Sequence, residues 1–224
     1  MIEKRCFTIG NKKNNYVLCY KDLCKKFSRR PLEEIVQKSG AKYDAEKNMF
    51  TLKYFNREYL ISYPEGSITL KDFNHNDLSY ESDTVMDKIL IMSYLCRCTK
   101  SGLTNKWVPY REIEGVGCTY DFFAGHGIDK LTKYFGNRDE LFLKAGKKLD
   151  AKKLCLGDMS LQFNIFPNVP VVLVLWLADE EFEAQANIFF DSSASKEIHI
   201  EDLASLCSKA VDELIRCAKQ VENF

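Results

Sequence analysis

The sequence predicts an α+β fold: an antiparallel meander sheet with helices packed on one face and a C-terminal helix docked on the sheet. The region from Leu161 to Asp191 alternates apolar and polar residues around an unbroken apolar run from Val171 to Leu177. That pattern is typical of antiparallel strands whose middle strand is covered on both faces. The region after Ile200 carries an apolar stripe at helical spacing. Because 46% of the 224 residues are hydrophobic, the chain can bury a large core without disulfides or metals.

The N-terminal part is predicted to hold two helices and a three-stranded meander. Apolar side chains recur three and four apart over residues 15–27, and a second helix opens at Pro31 and ends at Gly40. From Lys42 the apolar period changes to two, with hairpin turns at residues 56–57 and 64–66. We assign residues 1–82 to this part and residues 83–224 to an α+β part that is continuous with it.

A helix is predicted next, over residues 84–98, with Ser82 or Asp83 as its cap and Gly102 as its end. Residues 106–113 follow as a short strand that places Pro109 at a sheet edge, where a missing N–H donor is tolerated.

Residues 119–149 are predicted to form two helices. Gly125 and Gly127 interrupt the first helix, and Gly136 separates the two. Together with the C-terminal helix, they would cover one face of the central meander.

Composition excludes several classes of protein. Lys+Arg and Asp+Glu both number 32, so no global field favours nucleic acid as a main partner. No stretch is long and apolar enough for a signal peptide or a membrane span, which predicts a cytoplasmic location. The nine cysteines are an odd number and indicate free, mostly buried thiols, a load that favours a habitat with little oxygen.

The outer strands of the central meander offer a polar row on their second face: Gln162, Asn164, Gln185 and Asn187. A concave face that combines polar and aromatic side chains suits a ligand platform. The alternative is an ordinary solvated sheet face.

Lys106 and Trp107 join a cation to a large flat ring, a pair that suits an anionic, planar ligand, although Trp107 would serve equally as a core residue. His126 lies between two glycines, where a flat ligand can approach closely, and an imidazole there suits the axial position of a tetrapyrrole iron or cobalt. The commoner alternative is a histidine in a helix-breaking turn.

Three acids, Asp179, Glu180 and Glu181, follow the most buried predicted strand. A carboxylate desolvated there would have a raised pKa and serve in acid/base chemistry. The alternative is a solvated hairpin tip that blunts a sheet edge. Asp191 precedes two serines and would equally cap the next turn through its side chain.

Metal sites are not predicted. Cys96 and Cys98 are separated by one residue and would project to different sides of a helix, whereas zinc and iron–sulfur sites usually need two intervening residues and a second pair. The sequence holds no glycine-rich phosphate loop, nucleophile elbow or HExxH-type helix, which argues against the common enzyme classes.

Several short motifs resemble those of a domain family of unknown function that is common in anaerobic bacteria and archaea. They are Gly102, Lys106 and Trp107; Phe166, Pro167 and Pro170; Leu175, Trp176, Asp179, Glu180, Glu181 and Phe182; Phe190, Asp191, Ser193 and Ala194; and Glu201, Asp202 and Leu203. The resemblance extends from about Thr84 to the end. Some relatives are fused to a cysteine-ligated iron–sulfur module like that of corrinoid proteins, which this chain lacks. The resemblance therefore implies a role in anaerobic cofactor metabolism.

The leading hypothesis is a cytoplasmic, non-catalytic protein that binds an anionic cofactor or metabolite, such as a corrinoid or haem-like tetrapyrrole. One alternative is an enzyme that uses Asp179 and Glu180 as acid and base. Another is a protein-interaction domain that docks on an iron–sulfur or corrinoid partner. The residues expected at the ligand are Lys106, Trp107, His126, Phe166, Trp176, Asp179, Glu180 and Asp191.

Overall fold

The computed structural model describes residues 12–71, 85–116 and 121–222; the predicted helix caps Ser82 and Asp83 lie outside them. The helices are α1 (Lys12–Arg29), α2 (Leu32–Ser39), α3 (Val85–Arg97), α4 (Asp121–Phe135), α5 (Asp139–Lys148), α6 (Ala194–Glu197) and α7 (Ile200–Glu222). The strands are β1 (Lys42–Asp44), β2 (Met49–Tyr54), β3 (Arg57–Ser62), β4 (Ile68–Leu70), β5 (Trp107–Pro109), β6 (Lys152–Lys153), β7 (Met159–Phe166), β8 (Val169–Trp176) and β9 (Gln185–Asp191).

The first sheet is an antiparallel meander of four strands, β1 to β4 in order. Three of these strands were predicted, and β1 was missed because three residues are too short to show a period. Phe55 and Asn56 both have positive φ, 49° and 60°, as a two-residue hairpin turn between β2 and β3 requires. The turn therefore lies one residue earlier than predicted. Gly40 ends α2 in the left-handed conformation, with φ 70°, as its position predicted.

The second sheet has five strands in the order β5-β9-β8-β7-β6, all antiparallel. Strand β8 lies in the middle and its first seven residues are buried, which confirms the predicted central strand. Pro170 lies inside β8, opposite Asn164. Strand β5 forms the edge at Pro109, as expected for a residue without an N–H donor.

One face of this sheet, which carries Leu161 and Ile188, is covered by helices. A Cβ added to Gly146 of α5 would lie 2.5 Å from Cδ1 of Leu161, and one added to Gly127 of α4 would lie 3.0 Å from Cδ1 of Ile188. Helix α7 packs against both α4 and α5 and buries its apolar stripe. The predicted α+β class with an antiparallel sheet is confirmed.

Two predicted effects of glycine were wrong. Helix α3 ends at Arg97, well before Gly102, because the guanidinium of Arg30 donates to the carbonyls of Leu95 and Cys98, at 2.6 Å each, and so satisfies the end of the helix. Helix α4 runs unbroken through Gly125 and Gly127. A side chain at Gly127 would meet the backbone of α7 at 2.9 Å, so the glycine permits close helix packing.

Residues of both sheets share one apolar core. The ring of Phe166 lies between Tyr94, at 4.3 Å, and Tyr54, at 4.9 Å between ring centroids. The Phe55 N–H also donates to the Ile165 carbonyl at 3.0 Å, which links β2 to β7. The boundary proposed at residues 82–83 stays a prediction.

Buried polar groups connect α7 to α3 and to the first sheet. Lys209 forms an ion pair with Asp87 at 2.9 Å, and Asp87 accepts a hydrogen bond from the Tyr54 hydroxyl at 3.0 Å. Arg57 pairs with Glu213 in the same region. Removing one partner of such a pair leaves a buried charge without compensation. These contacts therefore fix the position of α7 against α3 and the first sheet.

Candidate functional site

The second face of the five-stranded sheet is turned away from α4 and α5. Paired residues point to the same side of a sheet, so the registers define rows on this face. One row crosses all five strands and contains Lys152, Gln162, Val172, Phe189 and Pro109. We call this surface the open face, because most of its outer side chains are exposed or half-exposed: Trp107, Gln162, Asn164, Trp176, Gln185, Asn187 and Phe189.

The middle of the open face consists of apolar side chains. Val172 and Val174 are fully buried there, although they point away from the helix layer. Residues 154–158 fold over one end of it, since a Cβ added to Gly157 would lie 2.7 Å from Val174. The exposed part of the open face is therefore its border of amides and aromatic rings, which includes the predicted polar row, and its apolar middle is buried.

Beside Trp107, residues 99–106 form an exposed segment that we call the anchored loop. Its shape requires positive φ at Lys100 (56°), Gly102 (85°) and Asn105 (58°). Two of these are not glycine, and side chains rarely adopt that conformation without compensating contacts. Those contacts come from two buried carboxylates.

The first carboxylate, Glu197 of α6, is 1% exposed. It accepts hydrogen bonds from the backbone N–H groups of Thr99 (3.1 Å), Lys100 (3.1 Å) and Ser101 (2.8 Å). The hydroxyls of Thr99 (3.0 Å) and Ser101 (2.8 Å) and the amide of Asn168 (3.1 Å) also donate to it. Three consecutive N–H groups thus form an anion-binding concavity that the protein fills with its own side chain.

The second carboxylate, Asp191 at the end of β9, is equally buried. It accepts hydrogen bonds from the N–H (3.0 Å) and hydroxyl (2.8 Å) of Thr104 and from the N–H of Asn105 (2.7 Å). Ser193 contributes its N–H (3.0 Å) and hydroxyl (2.6 Å). The sequence-based alternative, that Asp191 caps the following turn, is therefore correct, and the same carboxylate also fixes the anchored loop.

Both carboxylates are held ionised. Burial alone would raise the pKa of Glu197 and of Asp191, but the hydrogen bonds outweigh burial and the pKa of each group is lowered. A carboxylate that accepts five or six hydrogen bonds has little capacity left to accept a proton at neutral pH. These groups therefore shape the loop and are poorly suited to act as bases.

The residues predicted for the ligand do not converge on one point. Lys106, Trp107 and Asp191 lie together, at the end of the open face where the anchored loop joins β5. Trp176 is paired with Gln185 at the other end of β9. The six strand steps from Gln185 to Asp191 place the two ends about 20 Å apart.

Two other predicted site residues lie elsewhere. Phe166 is 1% exposed and is stacked in the core between two tyrosine rings, so it is out of reach of a ligand. His126 is exposed on α4, and α4 covers the opposite face of the sheet. A planar ligand beside Trp107 would be separated from this imidazole by the sheet, and the axial-ligand prediction conflicts with that arrangement.

Asp179 and Glu180 lie at the exposed tip of the hairpin between β8 and β9. The Asp179 carboxylate accepts hydrogen bonds from the N–H groups of Glu181 (2.8 Å) and Phe182 (2.7 Å), and these bonds lower its pKa. The expected desolvation and raised pKa are contradicted. The solvated-turn alternative describes this tip, and the acid/base hypothesis loses its physical basis.

Metal-ligating side chains do not cluster in the ranges described above: no group of three or more His, Cys, Asp or Glu residues is placed to hold an ion there. The seven cysteines in those ranges are free thiols. Burial raises the pKa of Cys98 to about 11 and that of Cys96 to about 12, as expected for inert thiols. No helix among the described residues is long and apolar enough to cross a bilayer.

Comparison with known families gives a match. The profile of a domain of unknown function, DUF3786, matches residues 31–213. The chain belongs to this family. The match begins well before Thr84, so the DUF3786 domain includes most of the N-terminal part as well. No curated protein and no solved structure matches the chain.

Sequence reasoning missed several residues that shape the candidate site. Glu197 lies in a Ser-Lys-Glu run that is typical of a solvated surface. Asn168 occupies a turn, and the residue to which its side chain donates is remote in sequence. The available signal was the anchored loop itself, in which Thr99, Ser101 and Thr104 supply hydroxyl donors around Gly102. Such a density of hydroxyl donors in one short loop is typical of a segment that binds a buried anion.

Proposed function

We propose that this protein is a non-catalytic binding protein that takes a planar, anionic cofactor or metabolite at the Trp107 end of the open face. A corrinoid or haem-like tetrapyrrole is the class of ligand to test first. The observation that carries the proposal is the rigid setting of Lys106 and Trp107: the loop that presents them is fixed by two buried carboxylates.

A planar ligand fits the shape of this surface. The exposed part of this end spans β5 and β9, whereas Val172 and Val174 of β8 are buried. Trp107 and Phe189 are half-exposed on it, and Phe189 is two residues from Asp191, the partner of Trp107. Flat rings at the surface of a sheet stack against flat ligands, with amides at the border to fix their orientation.

An anionic ligand fits the charge of this end. Lys100 and Lys106 are exposed on the anchored loop, and neither forms an ion pair with a residue in the described ranges. The N–H groups of the loop already bind Glu197 and Asp191, so recognition of an anion falls to the lysine side chains. Because the loop is ordered before binding, less conformational entropy is lost when a ligand binds.

A non-catalytic role is supported by the state of the ionisable groups. The buried carboxylates have lowered pKa values and full sets of donors, and the thiols of Cys96 and Cys98 have raised ones. Groups poised near neutral pH are what acid/base catalysis needs. The proposal also places the protein in the cytoplasm of an anaerobe, because the sequence motifs and the number of thiols suggest that setting.

The test uses haemin and cobalamin as probes and tryptophan fluorescence as the readout. The chain has two tryptophans, and both lie on the open face, so Trp176→Phe leaves Trp107 as the only reporter. We expect saturable quenching of Trp107, a shifted visible absorption band and a higher melting temperature. Lys106→Met should weaken binding about tenfold, since a hydrogen bond to a charged group contributes about 1.5 kcal/mol.

The matched control is Lys53→Met, which removes an exposed lysine from β2 of the other sheet and should leave binding unchanged. If neither probe shifts the absorption band or raises the melting temperature, the tetrapyrrole proposal is wrong. If binding occurs but Lys106→Met does not weaken it, the ligand lies elsewhere.

A further inference from the structure

The end of the open face that is remote from Trp107 exposes apolar side chains. Leu156 is 40% exposed, Trp176 40% and Phe182 65%. We call these three residues the apolar tip. They belong to the seven large hydrophobic side chains that are exposed in the described part of the chain, and the other four lie on α1, on α2 and in the anchored loop. A grouping of this kind at one edge marks an interaction surface more often than single exposed residues do.

Ordered turns hold the apolar tip in place. Asp179 accepts hydrogen bonds from two N–H groups and donates its own N–H to the Phe182 carbonyl at 3.0 Å. Next to it, Asp158 accepts the Leu177 N–H at 2.8 Å and donates its N–H to Leu175 at 3.0 Å. A Cβ on Gly157 would lie 3.3 Å from the Trp176 ring, so this loop packs against the indole.

Exposed aromatic rings on ordered turns have a cost and an advantage. Leaving a ring in water forfeits the free energy of burying its apolar surface. A ring that is already fixed, however, loses little conformational entropy on binding, which is why such residues dominate the affinity of many interfaces.

Acidic side chains flank Phe182 in the chain. Glu180, Glu181 and Glu183 are exposed in the same hairpin, and none of them forms an ion pair with another described residue. A negative field of this sign repels nucleic acid and anionic membrane surfaces. Its complement is a cationic surface that also carries apolar groups.

We propose that the apolar tip is a docking surface for a basic, amphipathic segment of a partner protein. Apolar side chains of that segment cover Phe182 and Trp176, and its lysines and arginines lie against Glu180, Glu181 and Glu183. An amphipathic helix supplies both features from one element. The surface lies about 20 Å from Lys106, so it is separate from the proposed ligand site and does not depend on it.

The probe is a synthetic amphipathic helical peptide of leucine and lysine, about four turns long. The Trp107→Phe variant leaves Trp176 as the only tryptophan, and burial of its indole should shift its emission to the blue as the peptide saturates. Phe182→Ser should weaken peptide binding at least about tenfold. The matched control, Leu18→Ser, removes a side chain that is 59% exposed on α1 and should change nothing.

Charge provides an independent second test. Replacing Glu180, Glu181 and Glu183 by glutamine should weaken binding and flatten its dependence on salt, and a peptide with glutamate in place of lysine should not bind. Lys106→Met should leave peptide binding unchanged.

Three results would overturn the proposal. They are an unshifted Trp176 spectrum, equal affinities for the Phe182 and Leu18 variants, or equal binding of the lysine and glutamate peptides. If sedimentation shows self-association that Phe182→Ser abolishes, the occupant is a second copy of the chain and the partner chemistry proposed here is wrong.

Discussion

Replacing Glu197 by glutamine tests whether the buried carboxylates hold the anchored loop. Glutamine keeps the length of the side chain, but its NH₂ group replaces one of the two oxygens. At Oε1 it would face the Ser101 N–H, and at Oε2 the N–H groups of Thr99 and Lys100, so at least one backbone donor loses its acceptor and the remaining hydrogen bonds lose the charge of the carboxylate. A hydrogen bond to a charged group contributes about 1.5–3 kcal/mol, and water can reach the exposed loop to compensate in part, so we expect a loss of about 3 kcal/mol.

Thermal and urea unfolding followed by circular dichroism measure this loss. For a chain of this size, 1 kcal/mol corresponds to about 2–4 °C in melting temperature, so Glu197→Gln should melt about 6–12 °C lower. The matched control is Glu180→Gln at the exposed hairpin tip, which should change the free energy of unfolding by less than about 0.5 kcal/mol.

The dependence on pH gives a second readout. The pKa of Glu197 in the folded protein is below its ordinary value of 4.5. The ionised group therefore contributes stability that is fully present above pH 4.5 and is lost as the pH falls through the lowered pKa. The glutamine variant has no such group, so the difference in unfolding free energy should be constant at neutral pH and narrow in acid. A variant within about 0.5 kcal/mol of the natural protein, or a difference that does not depend on pH, would refute this reasoning.

Three further predictions concern packing and thiols. Gly127→Ala should destabilise the protein by about 1–3 kcal/mol because its Cβ meets the backbone of α7. Gly125→Ala in the same helix has open space for the Cβ and should stabilise the protein by about 0.5–1 kcal/mol. Thermal unfolding of both variants measures the difference, and equal effects would contradict the close contact between α4 and α7. Phe166→Ala removes a ring stacked on two sides and should cost about 3–5 kcal/mol in urea unfolding; a loss below about 1 kcal/mol would show that the site collapses. Cys155→Ser should remove one fast-reacting thiol from the native protein, since Cys155 is exposed, whereas Cys98→Ser should remove none until the chain unfolds; Ellman's reagent counts both.

Long periodic segments were predictable because local chemistry fixes them. The apolar run of β8 and the stripe of α7 need burial whatever the rest of the chain does. Pro31 and Gly40 bound α2 through backbone conformations that other residues adopt poorly. Strands β1 and β6, of three and two residues, have no period to detect and exist only through their neighbours.

The candidate site was predictable in part. The exposure of the polar row on the open face followed from alternation, whereas the role of Lys106 and Trp107 at a ligand stays a prediction from their own chemistry. The burial of Phe166 and the exposure of Asp179 were not, because both depend on which elements pack against them. Glu197 and Thr99 are remote in sequence, and single-sequence patterns carry no information about such pairs.

The contacts that hold the anchored loop also determine when the loop can form during synthesis of the chain. Its hydrogen bonds to Glu197 span 96 to 98 positions, and those to Asp191 span 86 and 87. Ribosomes add about 5–20 residues per second, so the loop waits about 5–20 seconds after its own synthesis for its anchors. A chain released before α6 presents the same lysines and glycine on an unformed segment. A ligand that requires the formed loop would therefore distinguish finished chains from truncated ones.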